Sequence, residues 1–288
     1  MKFFSKTIGV GIVAGAMICS ACPVVSATVE SEIVKNISLP DTPKDITLSP
    51  DGTTVYILGE RTITVYSLTE NSIVETIPLE KSFSRIVFHG ETDRLFLIDE
   101  KSKEMTVMHI EHIYDIPAGD SPVIGSPDTP VTVVAFLDIQ CPYCGRVYPV
   151  LQQLINKYPG KARLIIKQFP LRMHRYAEPA ARAALAASRQ GKYKEMLDRL
   201  FQNYKTLNEK SIDSYAQELG LDMEQYQKDL KDPAVQAQIR NDMQLGRTLK
   251  VRGVPALFIN GRQAANRSLA SLSAMVDTEL EKKSSESK

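Results

Sequence analysis

The chain has 288 residues, 43% of them hydrophobic and 24% charged, with a formal net charge of +1. That balance is ordinary for a soluble globular protein and excludes a role driven by net charge, such as holding nucleic acid. With only 4 cysteines in a chain long enough to bury a core unaided, a disulfide-built scaffold is excluded as well.

In chain order, residues 1–27 read first, as an export signal. Lys2 and Lys6 form a positive start, Ile8 to Cys19 is an apolar run short for a membrane span, and Val25-Ser26-Ala27 presents small or slim residues for cleavage before Thr28. A lipoprotein acylated on Cys22 is the alternative, disfavoured by Cys19 and Pro23. Cleavage removes Cys19 and Cys22, so Cys141 and Cys144 remain as the sole pair in a chain bound for the periplasm or another oxidising extracytoplasmic space. No second apolar stretch is long enough to span a bilayer, so the mature chain is expected to be soluble.

Residues 28–114 are rich in short strand-like runs that repeat. Ile33-Val34, Ile37 and Leu39 recur forty positions later as Ile73-Val74, Ile77 and Leu79, and the same offset links Ile46 to Ile86, Val55 to Leu95 and Tyr56 to Phe96. Ser49-Pro50-Asp51-Gly52 supplies a turn before one strand, and His89-Gly90-Glu91 is its degraded copy. A forty-residue period with several strands per unit is the mark of a β-propeller blade. The stretch SPDGTTVYILGERTITVYSLTENSIVETIPL resembles YVTN-type propeller repeats, which implies an interaction platform. Two blades cannot close a ring, so this region is expected to dock on the rest of the chain, to assemble with other copies or to form a small open sheet; an inactive spacer is the plain alternative.

Residues 115–130, with Pro117, Pro122, Pro127 and Pro130 among Gly and Asp, read as a linker or an extended lead-in in which Pro122 to Ile124 adds a strand. From Val131 the pattern is α/β. Val131 to Leu137 is a continuous apolar run, as in a strand covered on both faces. Pro142 to Tyr158 reads as a helix with Pro in its first turn, and Arg163 to Lys167 as the next strand. A helical tract from Arg175 to about Lys250 breaks near Asn208, Gly220 and Pro233; a hairpin about Gly261 and a helix over Leu269 to Leu280 close the chain. This is the thioredoxin plan over 131–288, with a helical subdomain inserted at about 175–250.

The chemistry is placed on Cys141-Pro142-Tyr143-Cys144. A CxxC pair serves either as half of a zinc site or as a redox couple, but past the signal the chain offers as further ligands only His89, His109, His112 and His174, at no zinc-like spacing. As a redox couple the spacing is explained. A helix starting at Pro142 or Tyr143 leaves backbone N–H groups unpaired and favours a thiolate at Cys141, making it the attacking sulfur. Cys144, one turn in, lies on the same side and resolves the mixed disulfide. Electrons pass through sulfur alone, so no cofactor and no metal is expected. His174 reads as a structural histidine at a helix start rather than a catalytic base.

FLDIQCPYCGRVYPVL, KQFPLRMHRYAEPAARAALAA and VRGVPALFING, in that order, are similar to the DsbA-like branch of the thioredoxin superfamily, over about Val131 to Leu280. The resemblance implies a cis bond at Val254-Pro255 lying against the cysteines, with the Val254 backbone left to pair with a client chain. It also puts Asp138 at the acidic position before CPYC. Paired with Lys167, Asp138 would pass protons to Cys144; capping the active-site helix is the alternative. The expected function is disulfide exchange with cysteines of exported client proteins, as an oxidase recycled by a membrane-bound redox partner. The rivals are an oligomeric isomerase or reductase assembled through the repeats, and a repeat-based binding module with an incidental thioredoxin domain.

Overall fold

The computed structural model describes residues 30–286. The expected signal, its cleavage site and Cys22 lie outside these residues. The chain divides into two compact units: the described residues up to Val87 with Leu97–Thr106, and Phe88–Phe96 with everything from Val107 on.

The repeats form two antiparallel meanders. β1 (Asp45–Leu48), β2 (Thr54–Leu58), β3 (Thr62–Ser67) and β4 (Ser72–Pro78) hydrogen-bond in that order; β5 (Arg85–His89), β6 (Arg94–Asp99) and β7 (Glu104–His109) do the same. β1 and β5, like β2 and β6, start forty residues apart, as the repeated positions require. The Ser49 to Gly52 turn forms because Gly52 accepts a positive φ of 66° and its N–H donates to the Ser49 carbonyl at 2.9 Å. Tyr56, Leu58 and Ile63 are buried at the centre of the first meander, and Leu95 and Leu97 in the second. The period fails at its first positions: Ile33 and Val34 are 80% and 92% exposed and lie in no strand, because nothing pairs with them as β3 pairs with Ile73 in β4. The two meanders do not close into a ring.

In the second unit a five-stranded sheet runs β12-β11-β9-β10-β8, from β8 (Val123–Ile124), β9 (Val131–Leu137), β10 (Ala162–Gln168), β11 (Ala256–Ile259) and β12 (Arg262–Gln263). β9 is central, parallel to β10 and antiparallel to β11. Its unbroken apolar run follows from that place: Val131, Val133, Ala135 and Leu137 enter one core cluster, Val134 and Phe136 another on the opposite face. Helix α1 (Pro142–Lys157) joins β9 to β10 and, with α7 (Leu269–Glu286), contributes to the first cluster. The insertion comprises α2 (Ala177–Ser188), α3 (Tyr193–Gln202), α4 (Glu209–Glu218), α5 (Met223–Leu230) and α6 (Pro233–Thr248). Its breaks fall where capping chemistry puts them. Asn208 and Ser211 form a capping box, Gly220 takes φ 71°, and Asp232 caps a helix with Pro233 in its first turn.

Residues 115–130 take the form of an extended lead-in. The Tyr114 N–H donates to the Gly261 carbonyl at 3.0 Å, and Val123 and Ile124 pair with Ile165 and Leu164 of β10. Among the described residues, no helix is long and apolar enough to cross a membrane.

Candidate active site

β9 ends at Leu137, and the chain turns through Asp138 to Gln140 before α1 begins. Cys141 is the N-cap residue of α1, extended at φ −74° and ψ 125°, and Pro142 occupies the first turn, where its missing donor costs nothing. No side chain caps this helix, so its first N–H groups stay available beside the Cys141 sulfur. Cys141 is 4% exposed and Cys144 fully buried, both as free thiols. The Asp138 N–H lies 3.4 Å from the Cys144 sulfur. Burial pushes the Cys144 thiol far above the ordinary thiol range, while that N–H pulls the other way. Tyr143 between them is 64% exposed, with the Arg146 guanidinium 4.6 Å from its ring centre.

The second wall comes from the far end of the chain. The Val254-Pro255 peptide is cis, and the Val254 carbonyl oxygen lies 4.0 Å from the Cys141 sulfur. Among the described residues the Val254 N–H makes no backbone hydrogen bond.

The expected Asp138–Lys167 pair does not form, and Asp138 does not cap α1. Lys167 stands opposite Phe136 in the β9–β10 ladder and so shares the Phe136 face, whereas both cysteines belong to the cluster on the other face. The Lys167 ammonium meets Asp242 at 3.3 Å, the Ala118 carbonyl at 2.7 Å and the Ser121 hydroxyl at 3.0 Å. Burial raises the Asp242 carboxyl above its usual range although Lys167 opposes it. The buried Asp138 carboxylate instead accepts from Gln140 N–H at 2.7 Å and Leu171 N–H at 2.8 Å, and meets His174 Nδ1 at 2.7 Å.

His174 is therefore the site residue that sequence reasoning undervalued. It lies in a turn, its N–H donating to the Leu171 carbonyl, rather than at a helix start, since α2 begins at Ala177. The available signal was its place just after β10, whose end lies beside the end of β9. The Tyr176 N–H adds a second tie to this loop by donating to the Gln140 side chain at 2.7 Å. Among the described residues no three His, Cys, Asp or Glu side chains gather at metal-binding spacing.

Residues 118–278 match the family profile described as thioredoxin. Among solved structures, a thioredoxin-like oxidoreductase from Silicibacter pomeroyi DSS-3 is 34% identical over 57% of this chain and 94% of its own, with a TM-score of 0.51. The thiol-disulfide exchange protein alpha-DsbA2 of Wolbachia pipientis is 28% identical over 55% of this chain and 86% of its own, with a TM-score of 0.50. A curated relative, the Na(+)/H(+) antiporter NhaA 3 of Salinispora tropica, is 36% identical over 142 residues, which are 49% of this chain and 22% of the antiporter. The chain thus spans about a fifth of the length of the curated relatives it matches.

Proposed function

The chain belongs to the thioredoxin family, and from that footing we propose that it is a thiol-disulfide oxidoreductase working through Cys141 and Cys144. The observation that carries this reading is the placing of the two sulfurs: Cys141 at the uncapped start of α1 facing the Val254 carbonyl, Cys144 buried behind it.

The roles follow from that asymmetry. A buried thiol whose ionisation is pushed far up stays protonated at neutral pH, so the first sulfur to react is Cys141. In the oxidising direction a client thiolate attacks the Cys141 sulfur of the Cys141–Cys144 disulfide, and Cys144 leaves and takes up a proton. A second client thiolate then attacks the client sulfur of the mixed disulfide and expels Cys141. The client gains one disulfide, the protein holds two thiols, and a redox partner must accept two electrons to restore it. In the reducing direction the same steps run backward. Pro142 and Tyr143 shape the helix start, and Asp138 with His174 anchors the 171–174 turn beside it. Val254 and Pro255 offer a backbone edge to an extended client segment.

Support for the thiol-disulfide class comes from the family and from the likeness to the Silicibacter and Wolbachia proteins. Our finer reading is an exported oxidase acting on cysteines of extracytoplasmic clients and recycled by a membrane-bound partner. Two measurements test it. Cys141→Ser abolishes exchange, and Cys144→Ala accumulates mixed disulfides through Cys141, seen as adducts on non-reducing gels; adducts that instead need Cys144 would reverse the roles. Titration against glutathione sets the direction: a potential near about −120 mV marks a disulfide donor, one near about −270 mV a reductant.

A further inference from the structure

Three segments meet at the sulfurs: 138–146, 171–176 and 252–255. Each is tied there by an observed contact, namely Asp138 N–H to Cys144, the Leu171 N–H and His174 bonds to Asp138, and Val254 carbonyl to Cys141. Their exposed side chains are of two kinds. Tyr143 and Met173, 64% and 80% exposed, are apolar or aromatic. The charged ones are Arg146, Arg172, Arg175 and Arg252, all exposed. Arg146 lies over the Tyr143 ring at 4.6 Å and Arg175 over the Tyr176 ring at 5.3 Å, which ties two of the guanidinium groups to aromatic rings of these segments. Arg172 adjoins Leu171, and Arg252 stands two residues before Val254, a span of about 7 Å at most.

None of the four forms an ion pair with a described residue. The sole carboxylate on these segments, Asp138, is 1% exposed and turned inward to its three partners. Nearby Glu178 is already paired with Arg182. In a chain of net charge +1, four cations without an ion-pair partner among the described residues, all on the three segments that meet at the site, are a local excess and not a reflection of overall composition.

Resting on the exchange function proposed above, we infer that the rim selects client cysteines flanked by Asp or Glu, the arginines holding the carboxylates while Tyr143 and Met173 cover apolar neighbours. Arginine suits this because its fork binds carboxylates in two hydrogen bonds. A cationic rim also draws an anionic segment and its attacking thiolate toward the neutral disulfide, so a basic rim speeds acidic clients in particular.

The test uses the full chain, oxidised beforehand, and three dithiol peptides identical except that glutamate, glutamine or lysine flanks both cysteines. Peptide oxidation is timed per peptide thiolate, so that flank effects on the peptide's own ionisation drop out. The glutamate peptide should react about tenfold or more faster than the glutamine one at low salt, and the ratio should shrink toward one near about 1 M salt. Arg172→Gln with Arg252→Gln should collapse the ratio, and Arg172→Lys with Arg252→Lys should keep most of it. A wild-type ratio near one, a faster lysine peptide, or a ratio untouched by the glutamine pair overturns the inference. No reaction with any peptide overturns the exchange function instead.

Discussion

Cys144 shows how one buried side chain sets an order of events. Burial of its thiol outweighs the opposing Asp138 N–H, and the neighbouring Cys141 adds to the burial effect, so the protonated form is favoured in the folded chain. In the unfolded chain the same thiol ionises near its ordinary value of 9.0. A folded-state value above the unfolded one contributes stability that is present at lower pH and is lost as pH rises past the unfolded value. The reduced protein should therefore lose up to about 1.4 kcal/mol per pH unit above that point through this group. Urea denaturation of the reduced chain between neutral and alkaline pH should show that slope, and Cys144→Ala should remove it. Tyr148, Tyr193 and Tyr226, also raised by burial, add a further loss at higher pH common to both proteins.

At the scale of elements, two features hold the sheet that carries the site. The first is the buried Lys167–Asp242 pair, with side chains 4% and 5% exposed. Lys167→Met would leave the buried Asp242 with no countercharge and only the Gln168 N–H and Ser121 hydroxyl as partners, and should cost about 3–5 kcal/mol, whereas adding Asp242→Asn should recover more than half. In the single variant Asp242 ionises still less readily, so stability should rise as pH falls from neutral toward the ordinary carboxylate range; chemical denaturation at several pH values reads both effects. The second is the β11–β12 hairpin, closed by Asn260 and Gly261 at φ 44° and 81° between the paired Ile259 and Arg262. Both positive angles match the two-residue turn that Asn-Gly favours. A Cβ on Gly261 would sit 2.0 Å from the Tyr114 carbonyl oxygen, against the lead-in strand. Gly261→Ala should thus cost well beyond the about 1–2 kcal/mol of a left-handed alanine. Gly160→Ala, at φ 67° with nothing within 4 Å, should cost that backbone share alone.

For the whole molecule, the repeat meanders keep apolar side chains in solvent: Ile46, Leu48, Val74, Val87, Met105 and Val107 are each 45% to 58% exposed. Open strand edges bearing such residues are ordinarily paired or covered. We expect the repeats to drive self-association, and light scattering of residues 28–288 should return more than one subunit; a monomer would remove this expectation and the isomerase reading that leans on it. Wherever the physics is local, the sequence alone determined the outcome. Cysteines three apart at a proline-started helix, an apolar run with no polar alternation, caps at Asn208 and Asp232, and Asn-Gly at a turn each depend on neighbours within one helical turn or one hairpin. The repeat period likewise placed the strands of both meanders, save the positions about Ile33 that lack a partner strand. What only the tertiary structure decided is which distant side chains meet. Lys167 and Asp138 look adjacent on neighbouring strands, yet the side-chain alternation of β10 sends Lys167 to the face opposite the cysteines. Asp138 then finds His174, and the three segments that carry Arg146, Arg172, Arg175 and Arg252 come together because sheet order brings the ends of β9 and β10 and the start of β11 to one edge.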